Sequence, residues 1–259
     1  MTEPMTHFDL ISDLHLTETS NFTWRDKATS LFCIVAGNIA EDRNVLYDFL
    51  DEIKEHYEVV FFLDGELEHK CYNGNMAASY RNLINGIDMI DNVFFLHENI
   101  IIVDDTTLVG ANGWTTFDFS NKSTVDQTMT FLSDKGILNE YCAGEIFKLA
   151  ITDQVYMKNS IETCQTLDEC EKIVIVTSSV PKFSFISHND DYDGTVLGDL
   201  MGNNGIDKCL EQDLHTKVKT WAFGKFPEDL DYKIDNIRYV NNPGRNRDMS
   251  LYFPKRIEV

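Results

Sequence analysis

Three short apolar runs near the start of the chain, FDLISDL (8–14), CIVAGN (33–38) and VVFFLDG (59–65), each break off at a polar residue or a glycine. Between the last two lies DRNVLYDFLDEIKEHY (42–57), in which Val45, Phe49, Ile53 and Tyr57 recur every four residues opposite Asp and Glu. That spacing predicts an amphipathic helix between two buried strands. Buried strand, helix and buried strand together make a βαβ pattern, and its recurrence restricts the chain to a layered α/β architecture.

The remainder of the chain extends the same reading. A second helix is predicted over AASYRNLINGI (77–87), followed by strands at VFFL (93–96), NIIIV (99–103) and TTLVGANGW (106–114). Residues from about 121 to 165 are polar and helical in pattern, strongest in EIFKLAITDQVYMKNSIE, and are expected to cover a sheet edge or face. KIVIVTSS (172–179) restores a buried strand. TWAFGKF (220–226), LDYKID (230–235) and IRYVNNP (237–243) then finish the chain with a hairpin turning at Asp235-Asn236. No repeat, low-complexity tract or linker interrupts the 259 residues, so a single domain, 1–259, with a helical cover at about 121–165 is expected.

Charge limits the partners. Lys and Arg number 22 against 43 Asp and Glu, a formal net charge of -21. Such a surface repels nucleic acid and anionic membrane, whose phosphates need Lys and Arg to displace their counterions, and it suits a protein partner with a basic surface. No stretch approaches the ~20 apolar residues of a membrane span, and the first residues carry neither a basic nor an apolar leader region; a soluble, cytoplasmic protein is expected. The six cysteines show no CxxC spacing and read as reduced thiols, which fits that compartment.

In open α/β sheets functional groups gather outside the carboxyl ends of strands. The predicted strands deliver Ser12-Asp13-Leu14-His15, Ala36-Gly37-Asn38, Asp64-Gly65-Glu66-Leu67-Glu68-His69, Thr177-Ser178-Ser179-Val180-Pro181 and Phe223-Gly224-Lys225-Phe226-Pro227. In order and spacing these blocks resemble the D-x-H, G-D, G-N-H-E, T-H-H-x-P and G-H-x-H blocks of calcineurin-like metallophosphoesterases. Gly110-Ala111-Asn112-Gly113-Trp114-Thr115 resembles that family's G-x-x-x-W-T block. Asp231-Tyr232-Lys233-Ile234 with Arg238-Tyr239-Val240-Asn241-Asn242-Pro243 resembles the ending of its small bacterial and phage members. The resemblance implies two packed mixed β-sheets flanked by helices, a four-layer αββα sandwich, with a two-metal centre at the strand ends. For a phage-encoded chain it implies the host cytoplasm.

Carried over residue by residue, the resemblance places Asp13 and His15 at metal-ligand positions with ligating side chains intact. Asn38 stands in place of the bridging aspartate, and a neutral amide oxygen substitutes poorly for a carboxylate between two cations. Glu66 takes an asparagine ligand's position. Leu67 takes that of the histidine that supports the transition state, and it can donate nothing. Ser178 replaces a further metal-binding histidine, and Lys225 and Pro227 replace both histidines of the last block. Five of seven metal positions are thus altered, which removes the apparatus that polarises phosphate and generates hydroxide.

The expectation is therefore a pseudoenzyme that binds a basic protein, with no catalytic residue and no cofactor. The alternatives are a phosphoesterase with one Mn²⁺ or Mg²⁺ on Asp13, His15, Asn38 and Glu66, and a nucleotide or phosphate binder without turnover. Lys225 is expected to send its ammonium into the former metal pocket to neutralise Asp13, Glu66 or both, because clustered carboxylates without a cation destabilise a fold. His69 and His188 read as solvent-exposed histidines, and Arg245 and Arg247 as partners of surface carboxylates.

Overall fold

A computed structural model describes residues 5–72, 75–120, 125–134, 140–245 and 248–259. β1 (His7–Ile11), β2 (Phe32–Ala36), β3 (Val59–Leu63) and β4 (Val93–Phe95) lie side by side and parallel in one sheet. The second sheet contains β5 (Asn99–Val103), β6 (Thr106–Ala111), β7 (Lys172–Thr177), β8 (Val218–Phe223), β9 (Asp231–Ile234) and β10 (Ile237–Val240) in the order β5-β6-β7-β8-β10-β9. Its central strands are parallel and its two edges antiparallel. β11 (Lys255–Glu258) returns to the first sheet, antiparallel to β1.

Strand side chains alternate between faces, so a strand buried on both sides must be apolar throughout. The interior of the sandwich is built that way. Leu10, Ile34, Ala36, Phe61 and Leu63 of the first sheet meet Leu108, Val174, Val176, Ala222 and Val240 of the second. The alternate residues Cys33, Val35, Val60 and Phe62 face outward under α1 (Arg43–Lys54) and α2 (Met76–Ile87). Val109, Ala111, Ile173, Ile175, Trp221 and Phe223 face outward on the other side, where α4 (Glu140–Thr166) covers them with Met157, Ile161 and Cys164. α3 (Val125–Asp134) joins the start of α4 over Trp114 and Phe117, and α5 (Val196–Asp199) is one short turn. The result is two mixed sheets with helices on both outer faces, as expected.

Several details differ from the sequence reading. α1 begins one residue after Asp42, whose Oδ1 accepts from Asn44 N–H and Val45 N–H, and it ends at Lys54. Tyr57 therefore lies beyond the helix. Its buried hydroxyl donates to Asp9 Oδ2 at 3.0 Å, while Leu46, Phe49, Leu50 and Ile53 form the buried face. β11 was not expected at all. Its four residues include three charged ones, and only Ile257 carries apolar signal. The closing hairpin turns at Asp235 and Asn236, both with positive φ (50° and 67°), the geometry that matches the twist of a tight hairpin.

Candidate functional site

The ends of β1, β2, β3, β7 and β8 meet at one edge of the sandwich. Beyond the strands the loops stay zipped together: Asp13 N–H donates to Gly37 O, His15 N–H to Asn38 O and Ser178 N–H to Asn112 O. The approach is backbone to backbone. A Cβ on Gly65 would lie 2.4 Å from Asn38 N, and one on Gly224 would lie 2.5 Å from Ala36 O, so neither position has room for a side chain. Asp13, His15, Asn38 and Lys225 all adopt positive φ (51°, 52°, 57° and 66°). Left-handed backbone costs a non-glycine residue about 1–2 kcal/mol, so four such residues on converging loops make a strained rim.

A carboxylate holds these loops. Glu68 is fully buried; Oε2 accepts from Asn38 N–H (3.1 Å) and Gly65 N–H (2.7 Å), and Oε1 from Ile39 N–H (2.7 Å) and Ala40 N–H (3.1 Å). Burial raises its pKa, against the lowering effect of those backbone bonds. Its sequence position, at the Glu that closes the G-N-H-E-like block, does not by itself reveal this role. Asn242, in the closing motif, has a related task. Its amide donates to Leu10 O at 2.8 Å and to Tyr252 Oη at 2.9 Å, tying the end of β10 to the first sheet.

Inside the pocket, Asp13 is the central acid. Its Oδ1 accepts from Lys225 N–H at 2.8 Å and Asn38 Nδ2 at 3.0 Å, while among the described residues the buried Oδ2 meets no donor at hydrogen-bonding geometry. Burial pushes its pKa up to about 7, against those hydrogen bonds. Asn38 Nδ2 also reaches Ser178 Oγ at 3.4 Å, and its Oδ1 accepts from Leu67 N–H at 3.2 Å. The Lys225 ammonium lies 3.0 Å from Glu66 Oε2, and its charge is the main cause holding the Glu66 carboxyl below the usual range. His15 is half-buried; burial, then the charges of Arg245 and Lys70, push its imidazole down to about 4. Pro227 is exposed and takes no part in the cluster.

These residues do not fit a two-metal centre. Asn38 turns its amide donor toward Asp13, a lysine ammonium sits against Glu66, and Leu67 and Ser178 supply no imidazole. Among the described residues, Asp13, His15 and Glu66 do not form a three-ligand group. The pocket neutralises its acids with an amide, a backbone N–H and an ammonium.

The histidines and arginines divide. His188 is exposed, as expected. His69 is not: only 4% exposed, it sits with Nε2 2.9 Å from Asp64 Oδ2 and Nδ1 2.7 Å from Ser79 Oγ. A polar side chain with two fixed partners is stable in the interior, and no sequence pattern announces those partners. Arg245 is exposed at the pocket rim, and Arg247 lies outside the described residues.

No family model matches the chain, and no curated protein matches it in sequence. Solved structures do match. The phosphopantetheinyl hydrolase PptH from Mycobacterium tuberculosis superposes with a TM-score of 0.71 at 14% identity, over 98% of this chain and 96% of its own. GAP50, the anchor in the inner membrane complex of Plasmodium, superposes with a TM-score of 0.51 at 12% identity, over 93% of this chain and 72% of its own. Such identities establish the fold alone, which is metallophosphoesterase-like.

Proposed function

We propose that this chain uses a metallophosphoesterase-like fold without phosphoesterase chemistry, as a degenerate relative of the small bacterial and phage enzymes that binds a basic protein through its acidic surface. The observation that carries the reading is the pairing of Asn38 Nδ2 and Lys225 N–H with Asp13, together with the Lys225–Glu66 ion pair, in the place where metals would otherwise offset the acids. GAP50, which shares the fold, is an anchor.

The net charge of -21 supports the partner's chemistry. An acidic groove of about 320 Å³ beside the pocket is lined by Glu18, Asp42, Asp48 and Glu52 over Phe22 and Phe49. That combination suits lysine and arginine side chains, whose apolar stems would lie on the rings with their charges among the carboxylates.

Two measurements test the reading. Hydrolysis of bis(p-nitrophenyl) phosphate with Mn²⁺ is expected to stay at the blank rate, and turnover that Asp13→Ala abolishes would overturn the loss of chemistry. Capture from the native cell is expected to yield a basic protein that 0.5 M NaCl (about a 4 Å screening length) or the pair Glu18→Lys and Asp48→Lys releases. Capture indifferent to both would overturn the acidic docking surface.

A second reading has one observation in its favour. Lys70, Lys225 and Arg245 surround His15 and Glu66 at the pocket mouth, a local cluster of cations on an acidic protein. It would hold a phosphate group without cleaving it. Saturable binding of inorganic phosphate or a nucleotide, lost in Lys225→Met, would favour this reading.

A further inference from the structure

Outside that pocket, one group of metal-capable side chains converges among the described residues. His97, Glu98 and Asp153 bring a ring nitrogen and two carboxylate oxygens within 4.8 Å of one another. His97 and Glu98 lie in the crossover from β4 to β5, which joins the two sheets, and Asp153 comes from α4. We propose that His97, Glu98 and Asp153 form a binding site for a divalent transition cation of the zinc or manganese class, distinct from the pocket at Asp13.

Each donor is placed for that use. Asp153 is buried, and its Oδ2 accepts from Gly113 N–H (2.8 Å) and Trp114 N–H (2.9 Å), which fixes the carboxylate and leaves Oδ1 for another partner. The His97 ring stacks on Tyr80, centroids 4.8 Å apart and planes at 26°, so its orientation is also fixed. Glu98 is exposed, and with His97 it opens onto a groove of about 850 Å³ from which water can complete the coordination. A nitrogen and two oxygens suit zinc or manganese, with ligand distances of about 2 Å, so modest contraction of the three side chains closes the site.

An independent observation points the same way. Asp64 is fully buried, and among the described residues its Oδ1 has no hydrogen-bond donor, although it lies 3.5 Å from His97 Nδ1. Its other oxygen is saturated, by His69 Nε2 at 2.9 Å, Asn112 Nδ2 at 2.8 Å and Tyr80 Oη at 3.2 Å. Imidazoles that bind metal usually donate their second ring N–H to a carboxylate. Ligation through His97 Nε2 places the proton on Nδ1, facing the unmatched Asp64 oxygen, in exchange for the 3.2 Å bond that Nδ1 accepts from Asn112 N–H. The ion would clasp α4 to the crossover between the sheets.

Isothermal titration of chelator-treated protein with ZnCl₂, repeated with MnCl₂, tests the site. One equivalent is expected to bind, and Glu98→Gln is expected to weaken it at least about tenfold without moving the urea midpoint of the metal-free protein. His97→Ala should abolish binding, and Asp13→Asn should leave it intact. Binding of neither metal overturns the proposal. So does binding unchanged in both Glu98→Gln and His97→Ala, or binding that Asp13→Asn removes, which would place the ion in the other pocket.

Discussion

Asp13 carries a testable electrostatic signature. Its folded pKa of about 7 exceeds the unfolded value of 3.8, so the folded state binds the extra proton more tightly, and stability is lost as pH rises between those values. Asn at this position can still accept from Lys225 N–H and cannot ionise. Asp13→Asn should therefore match the parent near pH 4 and exceed it by about 4 kcal/mol at pH 8, read from urea unfolding at both pH values. Lys225→Met removes an ion pair to the half-exposed Glu66 and should cost no more than about 1 kcal/mol, while the Glu66 carboxyl titrates at higher pH in an NMR titration. The convergence of these loops was legible in the sequence because each block stands at the carboxyl end of a predicted strand, with glycines at Gly65 and Gly224 where backbone meets backbone. Glu68 and His69 were not legible in role. Their significance lies in partners up to 30 residues distant, Asn38 N–H among them, and distance along the chain hides them.

At the scale of elements, the long apolar strands were readable because burial on both faces demands unbroken hydrophobic runs, as in KIVIVT of β7. β11 was not, since a four-residue edge strand gains its stability from pairing with β1 and not from its own composition. The loop clamp can be tested here. Replacing Glu68 by Gln puts an amide donor against two of the four backbone N–H groups and should cost about 3 kcal/mol, seen as a lower urea midpoint. At the hairpin, Asn236 stands at φ 67°, where a β-branched side chain is strained; Asn236→Val should cost about 1–2 kcal/mol by thermal unfolding.

For the whole molecule, the excess of 21 negative charges repels itself in the compact state. Raising NaCl from 10 to 150 mM, which shortens the Debye length from about 30 to about 8 Å, should raise the melting temperature at neutral pH. The two-sheet, helix-flanked layering was legible in the ordered blocks at the strand ends, whereas the strand order within each sheet and the inter-sheet tie through Asn242 were not, because such contacts join residues as far apart as 10 and 242. The Glu68 clamp has a consequence for how such a protein changes over generations. Four N–H groups held by one carboxylate keep the loops in place without help from an ion, so the cavity behaves as an exchangeable insert in a fixed frame. Substitutions at Asn38, Leu67, Ser178 and Lys225 are then felt first by the cavity and only afterwards by whether the chain still folds.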